Sequence, residues 1–194
     1  MKKFKMWIKK NWGNAVLITF FLILLLSPDA KAWWMRQIIS TGLFNSKIEE
    51  KPTHIKEAPI LFKIKNENGE TIETSQLRGK VVFINFWASW CPPCRAEFPS
   101  IQKFYGKYQS NPDIRFLTVN LDDNPGKGKD YMRKEQYTIP FFIPDGDIPK
   151  EYFNGSLPTT VVLDKEGKIR LHHSGMADYS KNSFYQQIDR LLKE

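Results

Sequence analysis

Cysteine is almost missing from this chain: its 194 residues include two, Cys91 and Cys94. That excludes a disulfide-dense scaffold and argues against a closed structural zinc site, which needs four ligands. Histidine is scarce too. His54, His172 and His173 have no ligand-like spacing to the cysteines, and the doublet reads as a strand end. Internal repeats and low-complexity tracts are absent. So is acid in the first ten residues, where Lys2, Lys3, Lys5, Lys9 and Lys10 supply five of the eight excess positive charges. What remains is too weakly basic for a nucleic-acid surface, and no nucleic-acid partner is expected.

The lysines precede an apolar run, Ala15 to Leu26. A basic tip before an apolar segment keeps the N-terminus cytoplasmic and sends the following chain across the membrane. Two fates stay open. Ala30-Lys31-Ala32 has the small-x-small form of a cleavage site. Alternatively the segment is an anchor: Trp12 and Trp33/Trp34 bracket about 22 residues, roughly 33 Å of helix, although Pro28, Asp29 and Lys31 fray its far end. Either fate places the rest on the extracytoplasmic side of a bacterial cytoplasmic membrane. Residues 1–34 are therefore read as basic tip and membrane segment. Residues 35–52 are read as a tether, amphipathic on the membrane face or loosely ordered, because Trp34, Ile38, Ile39 and Leu43 recur at helical intervals.

Residues 53–194 are read as one globular domain. The 41% hydrophobic and 14% aromatic content of the chain supports a packed core rather than disorder. A hairpin is expected around Asn68-Gly69. "KVVFINFW", Lys80 to Trp87, reads as a buried central strand, followed by a helix bearing Phe98, Ile101, Tyr105 and Tyr108, kinked at Pro99. "IRFLTVNLD" is a second buried strand. A Gly/Lys loop at 124–129 leads into a short helix, "DYMRKEQY". Two antiparallel strands turn at Glu166-Gly167, and a last helix carries Phe184, Ile188 and Leu191 on one face. The order predicts an α/β fold with helices flanking a central mixed sheet.

All of the cysteine falls within "FWASWCPPC", at a spacing that two random cysteines would show about once in a hundred chains. A disulfide over so short a loop stabilises little, so a structural role fits poorly. A reversible dithiol fits well. Cys91 ends a strand and starts a helix, where the dipole and unpaired N–H groups favour a thiolate. Cys94, one turn inward, is placed to resolve a mixed disulfide. Cys91 is thus expected to be the exposed nucleophile and Cys94 the buried resolving thiol. A Cu(I)-binding or delivery module would use the same soft sulfurs, but no Met or His lies beside them. A peroxide-reducing site fits this motif poorly.

"FWASWCPPCRAEFPSI" resembles the active site of thioredoxin-like proteins and, more closely, the membrane-anchored thiol–disulfide oxidoreductases of the TlpA/ResA type. The likeness runs from about Lys56 to the C-terminus, through "GKVVFINFWASWCPPC" and "SLPTTVVLDKEGKI". It implies a thioredoxin-like fold with an N-terminal hairpin and a helical insertion. It also implies a redox-active Cys91–Cys94 disulfide in place of any cofactor, and no metal. Pro158 would be a cis-proline facing the dithiol. Leu157, Pro158 and Thr159, with Trp90 at the rim and Pro92 and Pro93 between the cysteines, would form the substrate-binding surface. Thioredoxin carries a buried aspartate in the strand before the motif; here that position is Asn85, which cannot titrate. Glu97 is the nearest carboxylate. It is either the proton acceptor for Cys94 or a solvated helix-face group near Arg95.

The dipeptide between the cysteines bears on direction. Pro92 and Pro93 have no N–H, so Cys94 is the nearest backbone donor to a Cys91 thiolate. A thiolate with fewer donors makes a more reducing couple, which points to a disulfide reductase; an oxidase or isomerase of secreted proteins is the opposite reading. A reductase outside the cytoplasm needs a transmembrane thiol-transfer protein as electron donor. The resemblance suggests protein disulfide clients that include apocytochrome c.

Overall fold

The computed structural model describes residues 12–23, 27–40 and 62–194. The five N-terminal lysines and the greater part of the expected tether lie outside them. At the centre is β3 (Val81–Trp87), all seven of whose residues are buried. Its alternating side chains feed two cores: Val81, Phe83 and Trp87 on one face, Val82, Ile84 and Phe86 on the other. A strand buried on both faces reads as a continuous apolar run, and β3 does so except at Asn85.

Around β3 the described residues form a seven-stranded mixed sheet of order β2-β1-β5-β4-β3-β6-β7. The hairpin β1 (Lys63–Asn66) and β2 (Thr71–Glu73) is paired as the sequence predicts, with Gly69 taking φ 83° in the turn. Parallel to β3 runs β4 (Ile114–Asn120), and antiparallel on its other side runs β6 (Thr159–Leu163), followed by β7 (Ile169–Ser174). The helix after the motif, α3 (Pro92–Tyr108), and the last helix, α5 (Asn182–Lys193), cover the first core, where Phe83 meets Phe104, Phe116 and Tyr179.

Two expectations change. Residues 124–129 are not a loop. Asn124 accepts the Gly126 N–H at 2.9 Å and Pro125 takes the first helical position, so α4 (Pro125–Lys134) starts there. The cap and proline outweigh the low helix propensity of Gly126 and Gly128. Gly128 also has a packing reason, since a Cβ there would meet the Asn120 side chain at 2.5 Å. A further strand, β5 (Phe141–Pro144), joins β4 to β1. With proline before and at its end, its four residues carry almost no periodic signal. Between β4 and β6 the chain thus carries a helix, α4, and a strand, β5.

The N-terminal part comprises α1 (Trp12–Ile23) and α2 (Pro28–Ser40). No single described helix is long and apolar enough to cross a membrane; the pair has the length and composition together, but is bent by 90°. The 34/35 boundary falls inside α2, which contains Ala30–Ala32 and packs along α3. Its buried Ala32 and Ile39 face the domain, whereas Trp33 and Trp34 are exposed. Proline chemistry explains the docking. Pro99 has no N–H for the Arg95 carbonyl four residues earlier, and Arg36 of α2 donates to that carbonyl at 3.1 Å instead. Asp29 pairs with the buried Arg95 guanidinium, which lies over the Tyr131 ring.

Candidate active site

Trp90 and the cysteines sit where β3 ends and α3 begins. Cys91 caps the helix in extended backbone, and its Sγ accepts the Cys94 N–H at 3.2 Å. Pro92 and Pro93 occupy the first turn, where an N–H has no intrahelical partner. The two cysteines form a disulfide. The cap geometry is the expected one; the exposure is not. Cys91 is only 3% exposed and Cys94 is fully buried, because neighbouring apolar groups crowd the outer sulfur.

Those groups line a groove of about 450 Å³ beside Cys91: Trp90, Pro92, Pro93, Leu121, Phe153 and Leu157. Trp90 is 63% exposed and forms its rim. The Leu157–Pro158 bond is cis, at the position the resemblance implies. Pro158 itself is buried, and its carbonyl accepts the Gly175 N–H. Thr159 does not present its side chain to the groove. It is fully buried, and its hydroxyl is engaged by the Ser156 carbonyl at 2.7 Å and the Ser174 hydroxyl at 3.2 Å. Among the described residues no three His, Cys, Asp or Glu side chains gather as metal ligands would.

One turn further along this face of α3 the surroundings turn polar. Glu97 lies on α3 three residues after Cys94, the helical spacing that puts both on one face. It is not a solvated helix-face group: it has no exposed surface, because α3 lays this face on β3 and β6. Asn85 Nδ2 donates to its Oε1 at 2.8 Å and the Ala177 N–H to its Oε2 at 3.2 Å. Burial outweighs these two donors and raises the Glu97 pKa from 4.5 to about 8.

Sequence reasoning missed the rest of this cluster. Asn85 also donates to Thr160 Oγ1 at 2.9 Å, its cross-strand partner on β6. Tyr179, fully buried, lies against Thr160, and Ser100 ties its N–H to the Glu97 carbonyl. The signal was present: Asn85 and Thr160 are polar residues inside apolar strands. Also missed was Asp122, just past β4, which accepts from the Ser89 N–H and hydroxyl at 3.0–3.2 Å and from Asn120 at 2.8 Å. It clamps the loop two residues before Cys91.

Comparison with known proteins agrees with this geometry. The AhpC/TSA family model matches residues 55–172. The chain is 32% identical over 157 residues to a thiol–disulfide oxidoreductase ResA of Bacillus cereus, covering 80% of this chain and 86% of that protein. Among solved structures it resembles StoA of Bacillus subtilis (TM-score 0.55, 29% identity, 71% of this chain and 98% of that one). It likewise resembles a thiol:disulfide interchange protein DsbE of Chlorobium tepidum (TM-score 0.59, 29% identity, 76% and 99%). A strand-to-helix dithiol, a groove beside its outer sulfur and this breadth of likeness point one way. The chain belongs to the AhpC/TSA family of thioredoxin-like proteins, as a thiol–disulfide oxidoreductase of the ResA group.

Proposed function

We propose that this oxidoreductase works as a disulfide reductase on the extracytoplasmic face of a bacterial cytoplasmic membrane. One observation carries the direction: the Cys91 sulfur has a single backbone donor, the Cys94 N–H, because Pro92 and Pro93 offer none. Each charged hydrogen bond withheld from a thiolate leaves the reduced form less favoured, so the couple is reducing. The apolar run of α1, with Trp12, Phe20 and Phe21 exposed, supports a membrane tether.

In the reaction, the Cys91 thiolate attacks a client disulfide, forming a mixed disulfide and releasing one client thiolate. Cys94 gives its proton to Glu97 and attacks the Cys91 sulfur. The Cys91–Cys94 disulfide forms and the second client thiolate leaves; the client has gained two electrons and the enzyme has lost them. A transmembrane thiol-transfer protein resets the dithiol. The groove walled by Trp90, Phe153 and Leu157 suits an extended, partly apolar client strand, with Leu157, held by the cis bond to Pro158, as its docking edge. The resemblance to the ResA type suggests protein disulfide clients that include apocytochrome c, whose paired cysteines must be reduced to take haem.

The test is covalent capture in intact cells. Cys94→Ser should accumulate mixed disulfides with exported Cys-x-x-Cys proteins, while Cys91→Ser accumulates few. Equal trapping by Cys91→Ser would reverse the roles of the sulfurs, and capture of cytoplasmic clients would refute the location.

A further inference from the structure

Two buried polar atoms beneath the dithiol have no hydrogen-bond partner: Asn85 Oδ1 and the Tyr179 hydroxyl. They lie at either side of one chain of groups, Glu97–Asn85–Thr160–Tyr179. Leaving such atoms unmet inside a tightly packed core is costly, so their retention calls for a reason. As the chain stands, Asn85 spends both Nδ2 hydrogens, one on Glu97 and one on Thr160. That polarity suits an ionised Glu97, which accepts from Asn85 and from the Ala177 N–H.

A neutral Glu97 needs the opposite. Its carboxylic proton requires an acceptor, and the Ala177 N–H is only a donor. Turning the Asn85 carboxamide over places Oδ1 toward both Glu97 and Thr160. The acid then donates to Oδ1, the Thr160 hydroxyl donates to the same oxygen, and the Tyr179 hydroxyl donates to Thr160. Both unpartnered atoms are satisfied, and the unmet atom becomes Nδ2. The two polarities each strand part of one amide, so neither is locked.

We propose that Asn85 is a positioning residue whose carboxamide reverses with the Glu97 proton, carrying Thr160 and Tyr179 with it, so that both protonation states of Glu97 are hydrogen-bonded during turnover. The inference rests on the reading of Glu97 as proton acceptor. The groups facing Glu97 are Asn85 from β3, the Ala177 N–H and Tyr179 from the segment before α5, and Cys94 on its own helix. Its displaced affinity comes from burial, with no neighbouring charge among the causes. A reversing amide suits this position because it takes up no net proton of its own, leaving the Cys94 proton to Glu97 alone.

The test uses the full-length oxidised chain in nanodiscs, where neither cysteine titrates, with asparagine side chains labelled with ¹⁵N. Cross-relaxation from the Asn85 amide protons should change pattern through the Glu97 titration, because Nδ2 moves from the Glu97 side to the opposite side. Glu97→Gln supplies a neutral side chain that can donate at every pH, so its Asn85 pattern should stay that of the low-pH wild type. An Asn85 pattern constant across the wild-type titration, or a Glu97→Gln variant holding the high-pH pattern, overturns the proposal. Failure of the underlying reading is distinguishable: disulfide turnover would then be the same in Glu97→Gln and wild type, whatever the amide does.

Discussion

The two sulfurs of one disulfide, three residues apart, lie in opposite surroundings. Cys91 faces an apolar groove and receives one backbone hydrogen bond. Cys94 is fully buried, on the same helix face as a buried carboxylate held by an asparagine and a backbone N–H. The difference comes from sequence in a simple way. Two prolines strip donors from the outer position, while Glu97 on α3, Asn85 on β3 and Thr160 on β6 place polar groups under the inner one. In the proposed reaction, outer reactivity is set by what is withheld and inner reactivity by a proton site that water does not reach.

The strongest way to break this contrast is to disable the inner side. Glu97→Gln should slow resolution of the mixed disulfide about 100-fold near pH 8, the usual worth of a positioned base, while leaving the first attack by Cys91 nearly unchanged. Because Glu97 accepts a proton only when ionised, the wild-type resolving rate should climb with pH through about 8. The variant should lose that rise. Stopped-flow separation of the two steps checks both.

A second, smaller effect is on stability. Folding raises the proton affinity of Glu97, so the folded oxidised protein binds a proton that the unfolded chain releases above pH 4.5. This contribution is fully present below pH 4.5 and is lost as pH rises through about 8, on the order of a few kcal/mol in all. Urea midpoints of the oxidised protein should therefore fall between pH 5 and 8, and Glu97→Gln should flatten that slope. A midpoint independent of pH in the wild type would contradict the burial argument.

The least drastic change sharpens the outer side. Pro93→Ala restores an N–H in the first turn, beside the Cys91 sulfur. A charge-assisted bond of about 1.5–3 kcal/mol to the thiolate would raise the reduction potential by roughly 30–60 mV, making the enzyme less reducing. Equilibration with glutathione or thioredoxin couples measures it. An unchanged potential would detach the direction of the reaction from the proline pair.

Much of this molecule could be read from its residues. The central strand stood out because seven consecutive buried positions leave a continuous apolar run, and the terminal helix because Phe184, Ile188 and Leu191 share a face. The dithiol and its cap followed from the spacing of the pair and its place between a strand and a helix. Glu97 was named but its setting stayed open, since burial depends on how α3 lies on the sheet, which no local pattern encodes. Thr159 misled for the same reason: its strand position was legible, but not the inward turn of its hydroxyl toward Ser156 and Ser174. Asp122 and Tyr179 escaped because they meet the motif only through the fold, at 31 and 88 residues from Cys91. The docking of α2 was hidden in a proline, whose missing N–H on α3 opened a carbonyl to Arg36.

The contrast between the sulfurs stands or falls on the inner carboxyl. Selective ¹³C labelling of the Glu97 side-chain carboxyl allows its titration to be followed directly by NMR in the oxidised chain, free of cysteine ionisation. A midpoint near pH 8 is the predicted result; a midpoint near 4.5, the value of a carboxyl in water, would contradict the account.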